Sequence, residues 1–284
     1  VEPSFESEAT IYPIWSSEEE ANIKISDLSK SYHPWIPPQN TIEALKNINL
    51  QFICSKPIAI IGENGCGKTS LLKCLSEVEI PTTGHFEVSG DRKLIYVNRN
   101  FDTDSSKSIS NCVASQIKIS SPKLDKNEVC KMSKCIIEMV QLSGKNEVRA
   151  KDLSGSDVLK FGLALALAKG VDKPNPPVLF LDGYLDHIDY RLVEKVENAI
   201  RNLSHKFNVG IIFSSHNMKI VFELAEAVVH LSQGEVLAVG KADEIVYAVT
   251  GLFEPLQKVV DRLKPLRLKK NYLYNKEGPV LLNN

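Results

Sequence analysis

The sequence predicts an α/β fold: a mainly parallel sheet covered by helices, with an antiparallel β layer and a small helical subdomain. Three observations lead there. Short apolar runs stand at residues 57–61, 178–181 and 209–213, the pattern of strands buried on both faces. Stretches with helical spacing of apolar positions separate them. Two alternating segments, 23–25 and 48–52, flank a loop containing Pro34, Pro37 and Pro38, as paired antiparallel strands do.

The bulk composition narrows the classes. With 284 residues and 43% hydrophobic content the chain can bury a large core. A net charge of −1 gives no general basic field, so no direct nucleic-acid partner is expected. Six cysteines without a CxxC pair argue against a zinc site or a disulfide framework and suit a reducing compartment, cytosol or organelle matrix. No run of about 18 apolar residues is present, so no span is expected. The first 21 residues form an acidic extension, with Glu2, Glu6, Glu8, Glu18, Glu19 and Glu20 and no Lys or Arg, unlike a secretory signal or transit peptide. Starting at Val1, it reads as a processed end or as part of a longer polypeptide.

After the β layer, the run at 57–61 ends in glycine and is followed by helical spacing over 70–76. A strand is expected at 94–97. From 101 to 152 the chain turns polar, with helical patterning at 109–117 and 128–142, which gives the helical subdomain. A buried helix at 161–168, a strand at 178–181, a helix at 191–203, a strand at 209–213 and a helix at 218–225 follow, then a hairpin of 228–231 with 235–239. Beyond 248 lies a C-terminal extension whose basic segment carries Lys258, Arg262, Lys264, Arg267, Lys269 and Lys270. It is expected as a solvated amphipathic helix over 252–263 and a frayed end.

The sharpest signal is Gly62-Glu63-Asn64-Gly65-Cys66-Gly67-Lys68-Thr69, a full match to GxxxxGK[ST] between a strand and a helix. Glycines let successive N–H groups turn toward phosphate oxygens, at the positive end of the following helix that includes Ser70. Lys68 offers charge to the β and γ phosphates and Thr69 a hydroxyl to magnesium. ATP with Mg2+ is the expected ligand. Cys66 lies inside the loop, so bound nucleotide is expected to shield its thiol. A carboxylate must also hold the metal, and Asp182, ending the run at 178–181, stands where such a ligand belongs. Together these predict a P-loop NTPase core.

Leu153-Ser154-Gly155-Ser156-Asp157, about 25 residues before Asp182, resembles the LSGGQ signature of the ABC (ATP-binding cassette) ATPases. The resemblance extends over roughly residues 23–248: His187-Ile188-Asp189 looks like the D-loop, His216 like the switch histidine that senses the γ-phosphate, and Tyr32 like the aromatic that stacks on adenine. It implies an ATP-binding domain over 22–248 that pairs head to tail with a second cassette, Ser154, Gly155 and Ser156 acting in trans on the partner's nucleotide. It further implies a separate membrane subunit, a second and different cassette as partner, and a peripheral place on a membrane.

The chain departs from that pattern. Gly183 occupies the position of the glutamate that polarises the attacking water, and loss of a general base costs about 10²- to 10⁴-fold in rate. Asp186, three residues on, would have to be redirected to substitute. Ser156 and Asp157 replace a glycine and a glutamine of the signature, the latter adding a repulsive carboxylate near phosphate. The glutamine expected after 94–97 is missing, with Asn98, Arg99 and Asn100 nearby. The expectation is an ATP-binding subunit of an ABC transporter-like complex with impaired hydrolysis. The alternative is a soluble ABC-type regulatory or structural pseudo-ATPase in a ribosome-, DNA- or iron–sulfur-related assembly.

Overall fold

The computed structural model describes residues 14–15, 21–33, 41–54, 56–98, 106–153, 155–186, 190–250, 272–275 and 278–281. Most of the acidic extension, the proline loop at 34–38, Arg99, Asn100, Ser154, the 187–189 triplet and the 252–263 segment lie outside them.

Two sheets stack. The first holds β1 (Asn22–Tyr32), β2 (Ile42–Ile53), β4 (Thr83–Val88), β10 (Tyr272–Asn275) and β11 (Gly278–Leu281), in the order β11-β10-β2-β1-β4. Ile23 pairs with Phe52 and Ile25 with Leu50, the antiparallel layer predicted from alternation. The second holds β3 (Ile58–Ile61), β5 (Leu94–Val97), β6 (Val178–Leu181), β7 (Gly210–Ser214), β8 (Ala227–Ser232) and β9 (Glu235–Lys241), in the order β5-β6-β7-β3-β8-β9. Every pairing in it is parallel except the β8–β9 hairpin.

The apolar runs explain that sheet. β3, β6 and β7 are buried at every position, as strands covered on both faces must be. Alternate residues serve different cores. Ala59, Ile61, Leu179, Leu181, Ile211 and Phe213 face a core shared with α2 (Ile109–Ser120), α3 (Lys126–Met139), α4 (Ser156–Lys169) and α5 (Tyr190–Phe207). Ile58, Ile60, Val178, Phe180 and Ile212 face the layer that holds α1 (Lys68–Leu75) and the antiparallel sheet.

Three helices begin at capping side chains. Asp125 and Glu128 form a reciprocal capping box on α3, Ser108 caps α2, and Asn217 caps α6 (Met218–Leu224), each supplying an oxygen to otherwise orphan N–H groups.

Three expectations change. β4 was not anticipated, because its mixed, largely exposed residues lack a clean alternation. Neither was α7 (Ala242–Thr250), which packs beside α6 and β9. The tail is not frayed at 272–281: β10 and β11 pair as a hairpin, and β10 adds to β2 in parallel, Leu273 opposite Gln51. Backbone pairing along the open edge of β2 supplies the order that the basic composition gave no sign of. Among the described residues, no helix is long and apolar enough to cross a membrane.

Candidate functional site

Because β6, β7 and β3 are adjacent and parallel, their carboxyl ends open on one side of the sheet, where ligands of open α/β sheets bind. β3 delivers the glycine loop, β6 Asp182, and β7 Ser214 through His216. These segments line a single cleft of about 350 Å³ that includes Asn64, Gly65, Gly67, Lys68, Thr69, Ser70, Asp182, Gly183, Asp186, Ser214 and His216.

The loop is shaped for a phosphate. Gly67 sits at φ +107° as the N-cap of α1 and makes no side-chain cap, so the first N–H groups of the helix are left to other acceptors. A Cβ there would stand 2.4 Å from the Ala44 carbonyl oxygen, so only glycine fits. Lys68 is 8% exposed, and its Nζ donates to the carbonyl oxygens of Gly62 and Glu63, each at 2.8 Å. Nζ also donates to the Cys66 sulfur at 3.8 Å, and a buried ammonium held by neutral groups is well matched to an incoming polyanion.

Thr69 and Asp182, predicted as metal ligands, meet: the Thr69 hydroxyl donates to Asp182 Oδ1 at 3.2 Å. Two further groups fix that carboxylate. Ser214 Oγ donates to Oδ1 at 2.8 Å and Tyr96 Oη to Oδ2 at 2.7 Å, while the Asp182 N–H bonds to the Val97 carbonyl at 2.9 Å. Burial, then the hydrogen bond to Asp182, pushes the Tyr96 phenol well above its ordinary pKa, so it remains a donor. Ser214 also accepts from the Gly183 N–H at 2.8 Å. A hydroxyl and a carboxylate oxygen side by side are hard donors suited to Mg2+. Tyr96 and Ser214 escaped prediction, since only strand register brings them to Asp182.

His216 is exposed and lines the cleft, its N–H donating to Asp186 Oδ1 at 3.1 Å. Tyr32 ends β1 with its hydroxyl donating to Glu79 at 2.6 Å and standing 3.1 Å from the Ser70 hydroxyl; Lys30 Nζ lies 5.1 Å from its ring centre. Burial, reinforced by Glu79, raises its pKa. Gly155 is the N-cap of α4 without a side-chain cap, and Ser156 is 4% exposed, so in the single chain this end of α4 offers backbone N–H groups rather than the Ser156 hydroxyl. Asp157 pairs with Lys145, which offsets the repulsion expected of its carboxylate. Cys66 turns inward, 4% exposed and packed in the layer between the sheets, so the fold itself already shields the thiol that nucleotide was expected to cover.

The chain is similar to known proteins in sequence and in fold. Residues 45–183 match the family model described as ABC transporter. A probable sulfate/thiosulfate import ATP-binding protein of Chlorella vulgaris is 27% identical over 233 residues, covering 79% of this chain and 93% of its own length. The spermidine/putrescine import ATP-binding protein of Oleidesulfovibrio alaskensis is 26% identical over 211 residues, covering 71% of this chain and 55% of that protein. The methionine import ATP-binding protein of Escherichia coli strain K12 is 24% identical over 237 residues, covering 78% of this chain and 66% of that protein. In fold, the chain is similar to cbiO1 of Clostridium perfringens, part of an ABC transporter complex, with a TM-score of 0.67 at 20% identity over 88% of this chain and 98% of that one. A dimeric ATP-binding cassette in a post-hydrolysis state with ADP and Pi gives a TM-score of 0.61 at 20% identity, over 78% and 98%. Over residues 45–183 the sequence therefore matches an ABC-type nucleotide-binding domain.

Proposed function

We propose that the chain is the ATP-binding subunit of an import-type ABC transporter complex and takes up Mg-ATP in the cleft above β3, β6 and β7. One observation carries this: Asp182 meets the adjacent pair Lys68 and Thr69 at the uncapped end of α1, although it lies 113 residues beyond Thr69. Lys68 would receive the β and γ phosphates, and Thr69 with Asp182 would hold the metal. Bound magnesium supplies charge neutralisation across the phosphate oxygens. His216 faces the same cleft and serves as the γ-phosphate sensor, while Tyr32 supports adenine beside Ser70.

In the assembled pair, Ser154, Gly155 and Ser156 of one cassette close on the other's nucleotide, with Asp189 at the contact. A different second cassette and a separate membrane subunit complete the complex, placing the chain peripherally on a membrane. Its relatives' names carry three different cargoes, which supports the energising role and leaves cargo choice to other subunits. With glycine at 183, the site holds ATP more readily than it consumes it.

Calorimetric titration tests the binding reading. Wild type should bind ATP more tightly with magnesium than with EDTA, and Asp182→Asn should erase that difference while keeping the fold. An unchanged magnesium dependence would contradict it. For the complex, affinity capture from solubilised membranes should recover a polytopic protein and a glutamate-containing cassette; recovery only in soluble assemblies would refute the transport role.

A further inference from the structure

We propose that Asp186 is the general base of this cleft, taking over from the position that glycine occupies at 183. The inference rests on the nucleotide-binding reading above and assigns the residue through which its slow turnover runs.

The turn after β6 folds back on itself. The Asp186 N–H bonds to the Gly183 carbonyl at 3.2 Å, and Gly183 adopts φ +55°, a left-handed conformation that glycine takes at no steric cost. The return brings the Asp186 carboxylate to the place a side chain at 183 would begin. A Cβ built on Gly183 has one neighbour within 4 Å, Asp186 Oδ2 at 3.6 Å. Both residues line the cleft with Lys68, Thr69, Asp182 and His216.

The two carboxylate oxygens are unequal. Oδ1 is anchored, accepting the Ser215 hydroxyl at 2.6 Å and the His216 N–H at 3.1 Å. These bonds orient the group from β7, so Asp186 is fixed by the strand that also delivers the phosphate-sensing histidine. Oδ2, the oxygen beside the Gly183 position, is the one left to receive a proton.

The step balances. A water oxygen bonds to the γ-phosphorus as the bond from that phosphorus to the β,γ-bridging oxygen breaks. The bridging oxygen keeps the electron pair and leaves on ADP, one water proton passes to Asp186 Oδ2, and inorganic phosphate is the second product.

Asp186→Asn isolates this role, because an asparagine carbonyl oxygen still accepts from Ser215 and His216 while the basic oxygen is lost. Phosphate release from γ-labelled ATP is measured on the purified full chain with any cassette that co-purifies. Fluorescent-ATP affinity and melting temperature are read alongside. The expected result is a loss of about 10²-fold in kcat, within the range for removing a general base, with KM, nucleotide affinity and melting temperature unchanged. Gly183→Glu added to Asp186→Asn should restore turnover while lowering the melting temperature, because a side chain at φ +55° is strained. Added alone, it should give less than the double variant, because two carboxylates so close resist ionising together. The proposal is overturned if Asp186→Asn turns over like wild type, if it loses affinity or stability in step with turnover, or if wild type binds ATP yet releases phosphate no faster than Lys68→Ala. Absence of nucleotide binding by wild type would instead overturn the function proposed above.

Discussion

Gly67 and Gly65, two residues apart in the phosphate loop, should respond to alanine differently, the first mainly in stability and the second mainly in affinity. Both have positive φ, +107° and +79°, so each substitution carries the strain of a left-handed backbone, about 1–2 kcal/mol. Their surroundings differ. At Gly67 a methyl group would lie 2.4 Å from the Ala44 carbonyl oxygen and 2.9 Å from Leu45 Cδ2, on a β2 backbone that cannot yield without disturbing the sheet. Overpacking of that kind adds about 1–3 kcal/mol. At Gly65 nothing lies within 4 Å, and the methyl would point into the cleft. Gly67→Ala should therefore destabilise by about 2–5 kcal/mol and Gly65→Ala by about 1–2 kcal/mol. At about 2–4 °C per kcal/mol for a domain of this size, the melting temperature falls by roughly 4–20 °C and 2–8 °C respectively. Thermal denaturation by circular dichroism measures both, and a fluorescent ATP analogue measures binding. Gly65→Ala should keep most of its stability yet lose affinity, since its methyl enters the space a phosphate must occupy. Equal melting losses, or full affinity in Gly65→Ala, would refute the placement of the loop.

Two further outcomes follow from buried polar groups. Tyr184 is fully buried and donates to the Leu159 carbonyl at 2.6 Å, tying the end of β6 to the first turn of α4; Tyr184→Phe should cost about 1 kcal/mol and lower the melting temperature by about 2–4 °C. Glu197 is buried, and burial followed by the nearby Glu223 raises its pKa above the unfolded value. Folding therefore favours its protonated form, and the penalty for its charge is absent below the unfolded pKa and grows as pH rises through the folded one. Glu197→Gln should raise the melting temperature at pH 8 and leave it nearly unchanged at pH 4, as scanning calorimetry across that range would reveal.

The features legible in the sequence are the local ones. Gly62 through Thr69 are consecutive, and the apolar run ending in Asp182 carries its own strand signature, so Thr69 and Asp182, which meet at 3.2 Å, are both legible as candidate metal ligands. The groups that hold Asp182 were hidden because they depend on which strands become neighbours. Tyr96 reaches it only because β5 pairs with β6 in register, Tyr96 opposite Phe180, and Ser214 only because β7 lies on the other side. Asp186 was visible as a residue and not as a direction: the left-handed turn at Gly183 brings its carboxylate back. Orientation also decided Cys66, where membership in the loop said nothing of an inward-facing thiol. Composition misled in the tail, since β10 is ordered by pairing with β2 and basic charges carry no signal of that kind.

Titration of a fluorescent ATP analogue against wild type and Lys68→Ala, in the presence of magnesium, tests the central claim most directly. The buried ammonium now bonded to the Gly62 and Glu63 carbonyls would exchange them for phosphate oxygens. At about 1.5–3 kcal/mol for hydrogen bonds to charged groups, its removal should weaken binding roughly 10- to 150-fold with little change in melting temperature. Saturable binding by wild type with that loss in Lys68→Ala is the predicted result. Equal affinity in the two proteins, or no saturable binding by wild type, would contradict it.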